Sequence, residues 1–262
     1  MLGRCHDMMD ALKKMLDEYR IPPVIEIKTK FDKTRLPKAE EVLLARLQEK
    51  KLPIRPDMRI AITGGSRGIA DYPAVMRAAV RYIKACGAVP FIVPAMGSHG
   101  GATAEGQLQI LEGYNITEES MGCPIRSSME TVLLGTSELG KPVYLDKIAY
   151  HSDGIIVSCR VKPHNAFRGP YESGFCKMMV VGLGKQEGAE SVHSDGMGVI
   201  AKNLPANAKV ILDKAPILMG VCTIENAYDE TARIAAVHRD DILTEEPGLL
   251  KEAFGNMPRL IV

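Results

Sequence analysis

Three histidines and a lysine stand in or beside glycine-rich segments, and their side chains set the first hypotheses about chemistry. His99 lies among three glycines in GSHGGAT (97–103), and His164 lies in the polar segment KPHNAFRGPYESG (162–174). An imidazole can donate or accept a proton near neutral pH, so both histidines are candidate acid/base groups. The alternative for each is an ordinary histidine in a solvated loop.

Lys177 and His193 indicate a way to hold a cofactor or a metal. Lys177 begins KMMVVGLGK (177–185), which we interpret as a strand followed by a glycine turn. If its amine is buried, the pKa falls and the amine could attach to a cofactor or substrate; if it reaches solvent, it has no such role. His193 lies in a helix predicted from about Gln186, where a neutral imidazole could bind a metal and Glu190 could orient it.

The segment GGSRGI (64–69) follows a predicted buried strand and precedes a predicted helix. Backbone N–H groups of Gly64, Gly65 and Ser66 could approach a phosphate closely, and Arg67 could clamp the same phosphate. The spacing does not match the dinucleotide motif G-x-G-x-x-G, and the Lys-Ser/Thr pair of a Walker A loop is absent. An ordinary strand-to-helix turn is therefore the alternative.

These segments must be positioned by the strands and helices around them. The apolar pattern predicts strands at 24–31, 58–63, 88–96, 131–134, 142–145, 154–161, the start of 177–185 and 209–213. It predicts helices at 7–19, 38–50, 73–86, from about 104 and from about 186 through 193. Repeats of strand, glycine loop and helix indicate parallel βαβ units, whose loops meet at the ligand-binding carboxyl edge of a sheet. We therefore predict an α/β fold with an open, mostly parallel, Rossmann-like sheet and helices on both faces.

The composition is that of a globular protein and argues against several function classes. The 262 residues are 46 % hydrophobic and 25 % charged, with a net charge of +1, so no basic excess favours nucleic acid. No run of about 18 apolar residues indicates a membrane span, and the charged N-terminal helix is not a signal peptide. None of the six cysteines forms a C-x-x-C pair. We expect a cytoplasmic protein with reduced cysteines that binds neither nucleic acid nor a membrane.

We predict that residues 1–262 form a single α/β cofactor-binding catalytic domain, because the length suits one large domain of this class. The last residues, PRLIV (258–262), resemble the opening of a strand. We therefore expect a second domain to follow in the full-length parent.

Four segments, in their order along the chain, resemble the nickel-dependent lactate racemase family of 2-hydroxyacid racemases and epimerases. They are GGSRGI, PAMGSHGGAT, VKPHNAFRGPYESGFCKMMVVGLGK and GAESVHSDG, and the resemblance covers nearly the whole chain as the family's amino-terminal domain. Family members use a nickel-pincer nucleotide, a pyridinium mononucleotide whose two sulfur atoms and one ring carbon bind nickel. The resemblance therefore implies this cofactor, a small-molecule 2-hydroxy acid substrate, and the cofactor-making enzymes as partners.

The resemblance also implies a role for each candidate residue. Lys177 matches the lysine that tethers the cofactor through a thioamide, and His193 matches the histidine that supplies the remaining nickel ligand. His99 and His164 match the two catalytic acid/bases, which serve the two enantiomers. The residues that match the segment holding the cofactor phosphate are Gly64, Gly65, Ser66 and Arg67.

Two departures from the lactate racemases favour a relative with another substrate. Gly64 and Gly65 stand where lactate racemases carry an acidic residue and its neighbour, and the segment from His164 to Lys177 is a few residues longer. Two other functions stay open. One is a nicotinamide-dependent oxidoreductase on a Rossmann-like scaffold, against which the poor glycine motif speaks. The other is a non-catalytic nucleotide- or metal-binding domain.

Overall fold

The computed structural model describes residue 10 and residues 12–17, 19–20 and 22–259. The chain divides into two units, one formed by Met1–Phe31 with Leu260–Val262 and the other by Asp32–Arg259.

The first unit differs from the sequence prediction in one element. Residues 10 and 12–17 are helical, while residues 7–9 of the predicted helix 7–19 lie outside the described residues. The predicted strand 24–31 is wrong, because residues 22–30 form no regular structure and Val24 is 87 % exposed. An alternating pattern stabilises a strand only where neighbouring chain covers one face, and this segment joins neither sheet of the described part.

The described residues of the second unit form seven strands, which in chain order are β1 (Arg59–Gly64), β2 (Val89–Pro94), β3 (Thr131–Thr136), β4 (Pro142–Asp146), β5 (Gly154–Arg160), β6 (Ile217–Glu225) and β7 (Thr231–His238). Five of them form one sheet with the order β2-β1-β5-β6-β7, and β3 pairs with β4 in a separate antiparallel hairpin. Strands β1, β2, β5 and β6 run parallel, whereas β7 runs antiparallel to β6. The sheet is therefore open and mostly parallel, as predicted.

Helices of the described part connect these strands. They are Ala39–Lys50, Tyr72–Ala85, Ala104–Gly113, Glu118–Met121, Lys147–Tyr150, Phe175–Lys177, Lys185–His193, Ile200–Lys214 and Ile242–Asn256. Short 3₁₀ turns lie at Gly100–Ala102, Met197–Val199 and Arg239–Asp241, and a π-helical turn lies at Met178–Gly182.

Alternate residues of the inner strands point into two different hydrophobic cores. Ile60 and Ile62 of β1 pack with buried residues of the helix Tyr72–Ala85, whereas Ala61 packs with buried residues of the helix Ile200–Lys214. Both faces of the sheet are therefore covered by helices, which explains why the strands are continuously apolar in sequence. The predicted α/β fold class is confirmed.

Two predicted strands are helical in the structure. Lys177 does not begin a strand, because residues Phe175–Lys177 and Met178–Gly182 form α- and π-helical turns. The predicted strand 209–213 lies inside the helix Ile200–Lys214. A short apolar run suits a buried helix as well as a strand, and the places on both sides of β5 are taken by β1 and β6.

The elements around the glycine loops are confirmed. The predicted helices 38–50 and 73–86 correspond to Ala39–Lys50 and Tyr72–Ala85, and β1 and β2 end where the loops were expected to begin. At the C-terminus residues 258–259 form no strand, and residues 260–262 of the predicted strand lie outside the described residues. Of the helices that the structure describes, none combines the length and the apolar character needed to cross a bilayer.

Candidate active site

The carboxyl ends of β1, β2 and β5 open onto a cavity of about 730 Å³. Seven of the eight residues singled out from the sequence line this cavity: Gly65, Ser66, Arg67, His99, His164, Lys177 and His193. Gly64 does not line it. Its carbonyl accepts the N–H of Ala95 (2.7 Å), and a Cβ at Gly64 would lie 3.0 Å from Leu111 Cδ2. The glycine at 64 therefore serves close packing within the fold, and its contact with a phosphate stays a prediction.

The loop after β1 is held by two tyrosine hydroxyls. The N–H of Gly65 donates to Tyr72 Oη (2.5 Å), and Tyr114 Oη donates to the carbonyl of Ser66 (3.1 Å). The N–H of Gly65 is thus already engaged, which removes one of the donors predicted for a phosphate. A Cβ at Gly65 would lie 3.1 Å from Met178 Cε, so a glycine here keeps the loop clear of the segment that follows Lys177.

The loop that carries His99 connects β2 to the helix Ala104–Gly113. Thr103 caps this helix, because its Oγ1 accepts the N–H of Gly106 (3.0 Å). Gly100 has a φ of 68°, and a Cβ at this position would lie 2.6 Å from the carbonyl carbon of Gly106. Both facts require a glycine, so the small residues beside His99 close the loop against its own helix as well as leaving room for a ligand.

The imidazole of His99 faces the cavity from this loop. Its Nδ1 forms a short hydrogen bond with Ser66 Oγ, which joins the loops after β1 and β2. Burial, together with the positive charges of Arg67 and Lys177, lowers the pKa of His99. The neutral imidazole, which can accept a proton, is therefore favoured near neutral pH.

The loop that carries His164 is organised by the buried carboxylate of Glu172. Glu172 Oε2 accepts the N–H of His164 (2.6 Å), and its Oε1 accepts the N–H of Gly169 (3.1 Å). The N–H of Ala166 donates to Nδ1 of the His164 ring (3.1 Å). The ring is therefore oriented by its own loop, and its Nε2 carries the proton in the neutral state.

The surroundings of His164 strongly disfavour a positive charge on its imidazole. Burial lowers the pKa of His164 to about 4, and the nearby basic side chains, Lys177 first among them, add to this effect. His164 is therefore neutral across the physiological pH range.

Three cationic side chains in the cavity have no carboxylate partner. Lys177, Lys162 and Arg67 form no side-chain hydrogen bond or ion pair with any residue that the structure describes, whereas Arg160 is paired with Glu225. Burial, with the charges of Lys162 and Arg67, lowers the pKa of Lys177 to about 8, so part of its amine is neutral near physiological pH. Unpaired cations around one cavity fit an anionic ligand.

His193 is the last residue of the helix Lys185–His193 and presents one nitrogen to the cavity. Its Nδ1 donates to the carbonyl of Ala189 (2.6 Å), which leaves the Nε2 lone pair available to a metal. Glu190 does not orient His193 as predicted, because its Oε1 accepts a hydrogen bond from Gln186 Nε2 (2.8 Å). Among the described residues, no cluster of three or more His, Cys, Asp and Glu side chains could hold a metal ion.

Several buried polar residues behind the cavity were not singled out from the sequence. Lys185 Nζ lies 3.0 Å from Asp146 Oδ2, and both side chains are fully buried. Gln107 is equally buried, and Glu246 accepts the N–H of Cys176 (2.9 Å) through Oε2. Lys185 ends the segment KMMVVGLGK (177–185), but its partners Asp146 and Gln107 are far from it in the chain, so no pattern in the sequence predicted that they meet.

An open α/β sheet with a cationic cavity at the carboxyl ends of its strands defines a ligand-binding α/β protein. The family model of the lactate racemase N-terminal domain matches residues 51–203, more than half of the 262 residues. The chain therefore belongs to the lactate racemase N-terminal domain family.

The fold is also similar to that of a solved racemase. The lactate racemase apoprotein from Thermoanaerobacterium thermosaccharolyticum matches with a TM-score of 0.55 and 15 % sequence identity. The match covers 80 % of this chain and 54 % of that chain, so this chain spans about half the length of the solved racemase. Among curated proteins, none matches this chain.

Proposed function

We propose that this chain is the cofactor-binding part of a nickel-dependent racemase or epimerase of a 2-hydroxy acid. The observation that carries the proposal is the amine of Lys177. It is half-buried, lines the cavity, has no hydrogen-bond or ion-pair partner in the described part of the chain and has a pKa lowered to about 8. Such an amine is suited to covalent attachment of a cofactor.

The donor set of the cavity fits the nickel-pincer nucleotide that the resemblance implies. Lys177 would hold the cofactor as a thioamide, and Nε2 of His193 would bind its nickel. Arg67 and Lys162 carry unpaired positive charge suited to its phosphate, with Ser66 beside them. When bound, this cofactor supplies an acceptor for the hydride of the substrate C–H bond.

His99 and His164 would move the hydroxyl proton of the substrate. A histidine takes this proton as the C2–H bond breaks, and returns it to oxygen after hydrogen has come back to either face of C2. His99 is suited to both steps because Ser66 Oγ can donate to Nδ1 or accept from it. His164 must release the bond from Ala166 N–H and move its own proton to Nδ1 before it can take a proton at Nε2.

The substrate and the partners follow the resemblance in this proposal. A small-molecule 2-hydroxy acid would be the substrate, and the enzymes that make the cofactor would be partners in the cytoplasm. Gly64 and Gly65, in place of the acidic residue and its neighbour in lactate racemases, favour a substrate other than lactate.

The test is an assay of the full-length parent, co-expressed with the cofactor-making enzymes, for interconversion of D- and L-2-hydroxy acids. We expect turnover, and we expect His99→Gln and His164→Gln to lower kcat by roughly 10²- to 10⁴-fold while the cofactor stays attached. His151→Gln, at an exposed histidine outside the cavity, is the matched control and should keep the wild-type kcat.

Two outcomes of this assay would favour the other candidate functions. A loaded protein that turns over no member of a broad panel of hydroxy acids would favour a non-catalytic binding domain. Tight binding of NAD without any adduct on the chain would favour a nicotinamide-dependent oxidoreductase.

A further inference from the structure

A fully buried polar network lies behind the cavity, on residues that the proposed chemistry does not use. Its centre is the ammonium of Lys185, which lies 3.0 Å from Asp146 Oδ2 and donates to the carbonyl of Pro94 (2.6 Å) and to Oε1 of Gln107 (3.3 Å). Lys185, Asp146 and Gln107 are each 0 % exposed. The ammonium therefore makes two hydrogen bonds and one close ion pair, all with groups inside the protein.

Gln107 extends this network to the loop that carries His99. Its Nε2 donates to the carbonyl of Gly97 (2.9 Å) and to the carbonyl of His99 itself (3.3 Å). The amide can take only one orientation, because turning it over would place its N–H groups against the ammonium of Lys185 and its oxygen against two carbonyls. The network therefore holds the backbone of His99 at a defined place.

Lys185 also lies where the helical turns that contain Lys177 meet the helix that ends at His193. Backbone hydrogen bonds hold the residues just before Lys185 against the loop after β2 and the end of β4. The N–H of Gly97 donates to the carbonyl of Gly182 (3.1 Å), and the N–H of Asp146 donates to the carbonyl of Leu183 (2.6 Å). Lys185 has a φ of 54°, which is uncommon for a residue with a long side chain. One buried residue thus connects the His99 loop with the Lys177–His193 segment.

A buried ion pair is weak support for stability alone, because well-packed apolar residues often stabilise a protein as much or more. The geometry of an ion pair is specific, however. Here the donors of Lys185 and Gln107 reach the end of β2, the Gln107 side chain and the loop that carries His99. We propose that Lys185 and Gln107 are positioning residues that set the place of His99 relative to Lys177 and His193. The kinetic part of this inference rests on the proposed function, whereas its structural part does not.

The first test compares Gln107→Leu with Gln109→Leu, the same change at an exposed position of the same helix. The readout is the ¹⁵N chemical shift of His99 Nδ1 in the purified chain without cofactor, which reports the hydrogen bond with Ser66. We expect Gln107→Leu to move this signal toward that of a free imidazole in water, and Gln109→Leu to leave it in place. An unchanged His99 signal in folded Gln107→Leu would overturn the proposal.

The second test removes the ammonium without leaving a lone buried charge. The double variant Lys185→Met/Asp146→Asn keeps Oδ1 of residue 146, which accepts the N–H of Ala149 (2.7 Å), so it should fold even if Lys185→Met alone does not. We expect the His99 signal to move as in Gln107→Leu, and the signal of His193 to stay. A double variant with the wild-type His99 signal would contradict the role of Lys185.

The kinetic arm uses the loaded, full-length parent. Because a misplacement of about 1 Å can cost roughly 100-fold in rate, we expect Gln107→Leu to lower kcat by about 10- to 100-fold with KM and cofactor loading unchanged. Wild-type kcat in this variant would refute positioning. If the wild-type parent shows no racemisation, the proposed function fails, and the ¹⁵N signal of His99 still decides the inference.

Discussion

The loops that carry His99 and His164 are held by buried polar groups that differ in whether their charges are compensated. Behind the His99 loop, the charges of Lys185 and Asp146 compensate each other in a pair that is closed to water. The His164 loop is held by the carboxyl group of Glu172 instead, and the helix Phe175–Lys177 that follows it is held by Glu246. Glu172 has only the mostly exposed Arg168 near it (3.5 Å), and Glu246 has no cationic partner among the described residues.

Because of this difference, the two sides of the cavity respond to different changes. Removing either charge of the compensated pair leaves the other charge buried and unpaired, so the His99 side is sensitive to mutation. Burial raises the pKa of Glu246 to about 7, so the side near Cys176 and Lys177 is sensitive to pH.

The largest effect is expected from Lys185→Met. This change leaves the carboxylate of Asp146 buried without its partner, and we expect it to lower the free energy of unfolding by about 3–5 kcal/mol. Urea unfolding at constant pH measures the loss, and Asp146→Asn added to the same chain should recover most of it. Lys209→Met, which breaks an exposed pair with Glu138 (3.1 Å), is the control and should cost less than about 1 kcal/mol. Equal losses in the two single variants would contradict the comparison.

A smaller effect on the free energy of unfolding, which depends on pH, is expected from Glu246. Because its pKa is raised from the ordinary 4.5 to about 7, the folded chain keeps a proton that the unfolded chain releases between these values. Stability from this group is therefore full below pH 4.5, falls as pH rises toward 7 by on the order of 3 kcal/mol, and then levels off.

Glu246→Gln tests this pH dependence. The amide oxygen can still accept the N–H of Cys176, but the group no longer titrates, so the free energy of unfolding should change less between pH 5 and 7 than in the wild type (measured by urea unfolding at about 0.5-unit steps). Parallel pH profiles of variant and wild type would refute this account of the Lys177 side.

The ion pair of Lys185 with Asp146 and the carboxyl groups of Glu172 and Glu246 also show the limit of what the sequence could predict. Strands β1 and β2 and the loops after them follow from apolar runs that end at glycines, which are local signals. The rule that parallel strands share one carboxyl edge accounts for the meeting of the loops that carry Arg67, His99 and His164. It does not account for Lys177 and His193, which lie on helices. The pairing of Asp146 with Lys185, by contrast, depends on how the hairpin β3–β4 packs against residues 183–185. No local sequence pattern encodes this packing.

The errors in the secondary structure have the same physical origin. In the run from Lys177 to Gly182, Met179 and Val180 are buried in the core, whereas Met178 and Val181 line the cavity. Apolar residues on both sides remove the periodicity that separates a strand from a helix. In the helix Ile200–Lys214 the buried residues Leu204, Ala208 and Ile211 recur at helical spacing, but the window 209–213 alone was too short to show this.

On the His164 side, Glu172→Gln should loosen the loop without unfolding the chain. Glutamine keeps one acceptor oxygen and turns an NH2 group, which cannot accept, toward the other N–H, so one of the bonds from His164 and Gly169 is lost, at a cost of about 1–2 kcal/mol. Hydrogen exchange of these two amides should therefore become about 5- to 30-fold faster. Glu105→Gln, at an exposed glutamate, is the control. Unchanged exchange in Glu172→Gln would show that the loop is held by other contacts.

The smallest effect is expected from the hydroxyl on the His99 side. Ser66→Ala removes one hydrogen bond to Nδ1, worth about 1 kcal/mol, and should lower kcat of the loaded protein by about fivefold. Ser66→Thr keeps the hydroxyl and should restore most of the loss. If alanine and threonine gave the same kcat, the contact between Ser66 and His99 would have no part in orienting the imidazole.

The most direct test of the central claim is the intact mass and nickel content of the chain after co-expression with the cofactor-making enzymes. We predict one nickel-containing nucleotide adduct, located by peptide mapping on Lys177, in the wild type and in Lys209→Met, which removes an exposed lysine outside the cavity. Lys177→Met should carry none. An adduct that persists in Lys177→Met, or a wild-type chain without any adduct under conditions that load a known member of the family, would contradict the account.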